Sequence, residues 1–259
     1  MLLEEFDTAK NAVIDPEMII ERIDDFPDVT ISVFSYLIFE EILNILPHKI
    51  IGCLHSTARE YPIYEAEYGN ERFAFYASQV GEPMCGGMYE EIIAMGSRRL
   101  ILLGNCGVLD KNIQDCGIII PTKALRDEGY SFHYAPPSDV IDVNKKYIDL
   151  FKEVLENAGY PYVEGTTWTT DAMYRETRGK VSRRREQGAL CVEMECAGMQ
   201  AMCDFRGSEF FQSFYAGDNL DHSEWQPRSI FSHSRLDDKI KIAMLAFELG
   251  LKIKSSAKQ

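Results

Sequence analysis

The densest group of residues able to do chemistry is Glu193-Met194-Glu195, with Asp218 about two dozen residues after it and Trp168 about two dozen before it. Neighbouring carboxylates accept hydrogen bonds from vicinal hydroxyls, as a sugar presents them, and an indole face stacks on a planar heterocycle. The same residue types also serve plainer ends: acidic residues between a strand and a helix solvate the helix start, and a tryptophan fills a core. Gly104-Asn105-Cys106-Gly107 could offer backbone donors and one amide to an anion, although it matches neither a Walker loop nor a dinucleotide fingerprint. Met84-Cys85-Gly86-Gly87 is a second small-residue run, as readily a structural turn as a close-approach segment. A cysteine nucleophile would need an activating base, and none of His48, His55, His133, His222 or His233 stands in a spacing that supplies one.

The elements that must position these groups follow from the apolar pattern. Val29 to Phe34 reads as a strand, followed by a helix through Leu46 with Leu37, Phe39, Ile42 and Leu43 on its packed face and Pro47 ending it. Lys49 to Leu54 and Arg72 to Ser78 read as strands, with Tyr68-Gly69-Asn70-Glu71 as a turn between them, and Met88 to Met95 as a helix. Leu100 to Leu103 is an apolar strand entering the small-residue run at Gly104 as a ligand-facing turn, and Gly117 to Ile120 is a second strand closed by Pro121. Tyr147, Phe151, Val154 and Ala158 form a helical stripe that stops at Gly159. Ala189 to Val192 reads as a strand, Met194 to Phe205 as a helix and Phe210 to Ala216 as a strand ending at Gly217-Asp218. A last helix carries Ile240, Met244, Phe247 and Leu251, with Ser234 and Asp237 spaced as a capping-box variant. Apolar runs separated by helical patterns favour an α/β fold over a sandwich.

The chain has 259 residues and no repeat or linker-like tract, which predicts one domain over 1–259, with residues 1–28 as an N-terminal extension. A formal charge of −14 argues against general nucleic-acid binding, which depends on Lys and Arg; the basic run Arg183 to Arg185 reads as a solvated face that could alternatively meet an anion. Seven cysteines, an odd number, fit buried thiols in a reducing compartment, and no CxxC or HxxxH pair supplies a metal site. With no signal peptide and no run of about 18 apolar residues, a cytoplasmic protein without a membrane span is expected.

Six strings in order, VGEPMCGGMYEEI, LILLGNCGVL, IIIPTKALRDEGYSFHY, TTWTTDAMYRET, CVEMECAGM and SFYAGD, resemble the nucleoside phosphorylase and nucleosidase superfamily, in particular its uridine and purine phosphorylase branch, from about Val29 to Leu251. The resemblance implies a three-layer α/β/α domain with a twisted mixed central sheet. It implies a homo-oligomer, a dimer or a hexamer built as a trimer of dimers, with sites near subunit boundaries. It implies sugar contacts from Glu193, Met194 and Glu195, a base wall at Trp168, and Asp218 as the acid at the leaving base. Arg178 would read the base edge, Gly104 and Asn105 would meet the anion, and Arg59 would be lent to a neighbour's phosphate site. Arg126, Asp127 and Glu128 read mainly as a structural network.

The implied reaction is phosphorolysis: inorganic phosphate as co-substrate, no organic cofactor, no catalytic metal, and free base and ribose 1-phosphate as products. Two departures qualify it. The early glycine-rich phosphate loop is replaced by SVFSYL, and Leu102 stands where relatives place an arginine. Hydrolysis of the same bond, or a degenerate nucleoside-binding protein, are therefore the alternatives, and Asp218 leans towards purines while the general texture leans towards uridine.

Overall fold

The computed structural model describes residues 2–230 and 232–256. Its elements are β1 (Val29–Val33), α1 (Tyr36–Ile45), β2 (His48–His55), β3 (Glu60–Tyr68), β4 (Glu71–Ala77), α2 (Glu82–Met95), β5 (Arg99–Val108), β6 (Ile118–Asp127), β7 (Val140–Asp142), α3 (Ile148–Ala158), β8 (Tyr162–Thr170), α4 (Arg178–Glu186), β9 (Ala189–Glu193), α5 (Cys196–Arg206), β10 (Glu209–Asn219) and α6 (Leu236–Ser256). The strands form one mixed sheet in the order β10-β6-β8-β9-β5-β1-β4-β3-β2, with β7 on β6. A further pairing of β10 with β5 closes β5, β10, β6, β8 and β9 into a ring.

Strand β5 is the hub. Its first half lies parallel to β1, its far end meets β9 antiparallel through Gly107 and Val108, and β10 runs beside its whole length. Ile101 and Leu103 face a core with Ile42, Phe75, Phe151 and Phe247 under α1, α3 and α6, whereas Leu100 and Leu102 face a second core with Tyr89, Ile92 and Met199 under α2 and α5. Helix α4 covers a smaller cluster of Leu125, Trp168, Val181 and Val192. This is the three-layer α/β/α arrangement with a twisted mixed sheet that the sequence implied.

Several boundaries moved, for identifiable reasons. Gly104 to Gly107 is strand rather than turn; the glycines are needed because a β-carbon on Gly104 would sit 3.1 Å from the Phe214 ring and one on Gly107 only 2.5 Å from Leu220. Helix α2 begins at Glu82 and runs through Gly86 and Gly87, the former lying so close to Tyr130 that a β-carbon would come within 2.1 Å of its hydroxyl. Pro121 does not end β6: the pairing with β8 shifts register between Pro121 and Lys123 and the strand continues to Asp127. Strands β3 and β8 lie outside the sequence reading; β3 pairs with β4 across the Gly69-Asn70 turn, where both φ angles are positive as a two-residue hairpin requires.

Candidate active site

Glu193 ends β9 and is the most heavily bonded carboxylate of the group. Its Oε1 accepts from the hydroxyls of Thr169 (2.6 Å) and Thr167 (3.2 Å), and its Oε2 from the backbone N–H groups of Glu195 (2.8 Å) and Cys196 (2.7 Å). Four donors use the acceptor capacity of the two oxygens. Its carboxylate anchors the first turn of α5 to β8, and burial, which pushes its pKa up, is offset by these donors.

Glu195 is different. Its Oε1 accepts from the backbone N–H of Gly81 at 2.7 Å, in the loop between β4 and α2, and Met194 lies half-buried before it. Burial, and secondarily the charge of Glu193, pushes the Glu195 pKa up to about 8. The sequence reading quoted this segment, VGEPMCGGMYEEI, for the resemblance but gave Gly81 no role. Gly81 precedes Glu82, whose buried carboxyl accepts from the Gly198 N–H at 2.6 Å and so ties α2 to α5.

A raised carboxyl pKa means that the folded protein holds the proton more tightly than the unfolded chain. Ionising Glu195 therefore removes stability as pH climbs from the ordinary carboxylate range towards 8, while a hydroxyl donor pulls the group towards its ionised form. If Glu195 accepts from a ligand hydroxyl, kcat/KM rises through about pH 8 and then levels off, and Glu195→Gln flattens that limb. A wild-type profile with no such limb, or an unchanged limb in the variant, would count against the assignment.

Asp218 is set by a bulge. β10 shifts register against β5 between Ala216 and Asp218, which places Asp218 opposite Gly107. Its Oδ2 accepts from the Trp225 indole N–H at 2.6 Å, and burial pushes its pKa up against the opposing effects of that bond and of Arg228. Nearby, burial and the charge of Asp218 push Glu176 up to about 7, a second carboxyl at this end of the site. Gly107 also pairs with Val192, so β9, which leads into Glu193 and Glu195, and β10, which carries Asp218, both border the same β5 residue.

Trp168 requires a correction. It is completely buried, its indole N–H donates to Asp127 at 3.0 Å, and its ring packs in the cluster under α4. Thr167 and Thr169 point at Glu193, so the period of two along β8 turns Trp168 to the opposite face. The exposed apolar side chains of this stretch are instead Met173 and Tyr174, in the short turn after β8. The Arg178 guanidinium donates to the carbonyls of Leu220 (3.0 Å) and Ser223 (2.8 Å) and pins the loop after β10. Arg126 is bonded to Ser131, Pro136 and Ser138, and Asp127 to Trp168 and Lys180.

On the anion side, Asn105 is half-buried and faces a cavity of about 320 Å³ with Ser35, Val80, Leu103, Tyr215 and Lys239. Gly104 is buried in the ladder with Phe214, and the side chain of Leu102 is fully buried on the far face of the sheet. Arg59 is exposed in the β2–β3 turn, its guanidinium over the rings of Tyr61 (4.7 Å) and Tyr36 (5.7 Å), and does not line this cavity. A larger groove of about 850 Å³ between residues 17–22 and the ends of α2 and α5 is lined by none of the candidate residues. Among the described residues no group of three or more His, Cys, Asp or Glu could hold a metal, and no helix is long and apolar enough to cross a membrane.

A mixed α/β sheet gathering buried carboxyls and a small cavity at its strand ends places the molecule among α/β proteins that take small ligands there. The family follows from comparison: residues 40–234 match the model of the phosphorylase superfamily, and the chain belongs to it. It is similar to uridine phosphorylase of Escherichia coli (strain K12), 22% identical over 163 residues that span 58% of this chain and 64% of that protein, a little under two thirds of its length. It is also similar to a DeoD-type purine nucleoside phosphorylase of Bacillus thuringiensis (strain Al Hakam), 24% identical over 188 residues, covering 70% of this chain and 77% of that one. In fold it resembles the crystal structure of uridine phosphorylase from Vibrio fischeri ES114, with a TM-score of 0.74 at 19% identity, over 90% of this chain and 95% of that one.

Proposed function

We propose that the protein is a nucleoside phosphorylase in which inorganic phosphate attacks C1′ of a bound nucleoside to give free base and ribose 1-phosphate. The observation that carries this reading is the pair of buried carboxyls with raised pKa, Glu195 just after β9 and Asp218 on β10, on two strands that both pair with Gly107 of β5. Cleavage of an N-glycosidic bond builds positive charge on the sugar and negative charge on the base. A carboxylate at the hydroxyls holds and stabilises the first, and a buried acid with its pKa pushed up delivers a proton to the second. Met194 would lie against the sugar, Asn105 and Gly104 would border the phosphate, and Arg59, absent from its own cavity, would serve a neighbouring copy in a homo-oligomer. The carboxyls of Asp218 and Glu176 favour a base offering a basic nitrogen and N–H groups, which points to a purine. A cytoplasmic setting fits the absence of disulfides among seven free cysteines.

Leu102 favours a second reading, hydrolysis of the same bond, because an alkyl group there supplies no charge to phosphate. A nucleoside panel assayed with and without millimolar phosphate separates the two. The expected result is base release at least about tenfold faster with phosphate, accompanied by ribose 1-phosphate. Equal rates with free ribose as product would make it a nucleosidase, and no release from any nucleoside would favour a binding protein.

A further inference from the structure

We infer that Lys239 supplies the positive charge for the attacking oxyanion, seated in the cavity between the first turns of α1 and α6; this rests on the phosphorolytic reading. Lys239 lies in the first turn of α6 and is only 5% exposed. Its ammonium donates to the carbonyl oxygens of Ser229 at 2.6 Å and Ser232 at 3.4 Å. An ammonium has three N–H groups, and among the described residues no carboxylate pairs with this one. Carbonyl dipoles offset part of the cost of burying a cation, but the full charge calls for an anion. Holding the carbonyls of Ser229 and Ser232 would need only hydrogen-bond donors, so that task leaves the charge unexplained.

The surroundings point the same way. The cavity wall that includes Lys239 also carries the Asn105 amide and Ser35, whose hydroxyl caps α1 by accepting from the Ile38 N–H at 3.3 Å. Ile38 and Leu236 line it too, so the first turns of two helices border it; Asp237 and Asp238 share the first turn of α6 but do not line the cavity. Val80 belongs to the same wall and precedes Gly81, the donor to Glu195, which sets the cavity beside the proposed sugar position. The volume of about 320 Å³ is ample for one tetrahedral oxyanion. Leu102 cannot contribute, since its side chain is buried on the opposite face, and the cation arrives instead from a helix far along the chain.

The test uses inorganic phosphate and two variants: Lys239→Gln, which keeps a donor for the loop carbonyls but removes the charge, and Lys239→Arg, which keeps the charge. Initial rates should give a phosphate KM raised by roughly ten- to a hundredfold in Lys239→Gln, a nucleoside KM changed by less than about twofold, and substantial recovery in Lys239→Arg. An unchanged phosphate KM in Lys239→Gln overturns the inference and leaves the reaction intact. If wild-type turnover ignores phosphate, the reaction assignment fails, and thermal shift decides the site. Protection of the wild type but not of Lys239→Gln by phosphate then sustains the anion site, and equal protection of both, or of neither, removes it. Should Lys239→Gln not fold, His233→Glu on the exposed rim of the same cavity substitutes for it. A carboxylate there should raise the phosphate KM by about tenfold, and no change overturns the inference.

Discussion

Glu195→Gln should lower kcat/KM by roughly ten- to a thousandfold, because a charge-assisted hydrogen bond to a desolvated hydroxyl contributes about 1.5 to 3 kcal/mol and a slipped sugar loses alignment as well. The group is buried, and the one bond to its Oε1 comes from the Gly81 N–H, which amide oxygen can still accept. The fold should therefore survive a change that weakens the acceptor. Two measurements separate contact from collapse. The variant must keep the wild-type melting temperature within a few degrees, and its penalty should shrink on a substrate lacking the 2′ and 3′ hydroxyls, as expected when one partner of an interacting pair is already gone. A folded variant with unchanged kinetics would remove Glu195 from the sugar site.

Asp218→Asn should be comparably damaging, by roughly a hundred- to ten-thousandfold in kcat, the usual range for losing a positioned general acid. Trp225 holds Oδ2, and the bulge brings Oδ1 within 3.0 Å of where a β-carbon on Gly107 would stand, so the carboxyl is fixed from two sides. Asparagine preserves that shape but cannot release a proton. The defect should nearly vanish on a riboside whose leaving group is a weak base, such as a nitrophenolate, because that departure needs no protonation. An equal loss on both kinds of substrate would mean that Asp218 supports the structure of the site and not the leaving group.

The parts of the fold legible in the sequence were those whose neighbours are local. Strand β1, helix α1 and the Gly159 end of α3 follow from apolar spacing and end signals, and the structure has them there. The rest depended on partners far away. Gly104 to Gly107 looked like a loop because glycine is common in loops, but here the glycines make room for Phe214 and Asp218 on β10 and for Leu220 just after it. Glu193 and Glu195 are indistinguishable as residue types, and what separates them is two threonines on β8 that satisfy only the first. Trp168 could have been assigned correctly from alternation once Thr167 and Thr169 were recognised as the residues of a strand that face Glu193. Lys239 was hidden by a small rotation: Ile240, Met244, Phe247 and Leu251 were read as the buried stripe of α6, yet Ile242, Leu245, Phe247 and Leu249 are buried, and the lysine with them.

The closed ring of strands also bears on how the molecule comes to be made. Arg99 of β5 and Glu209 of β10 are hydrogen-bonded partners 110 residues apart, and joining strands so distant costs chain entropy before any contact repays it. During synthesis from the N-terminus, Glu195 emerges well before Asp218, and no length of chain that stops short of β10 can bring the second carboxyl to Gly107. The last strand thus acts as a keystone, and its docking closes the sheet and completes the pair of acids in one event. On the proposed reading a half-made chain has the sugar-side carboxyl without the acid for the base, so the two would act together only in the finished ring.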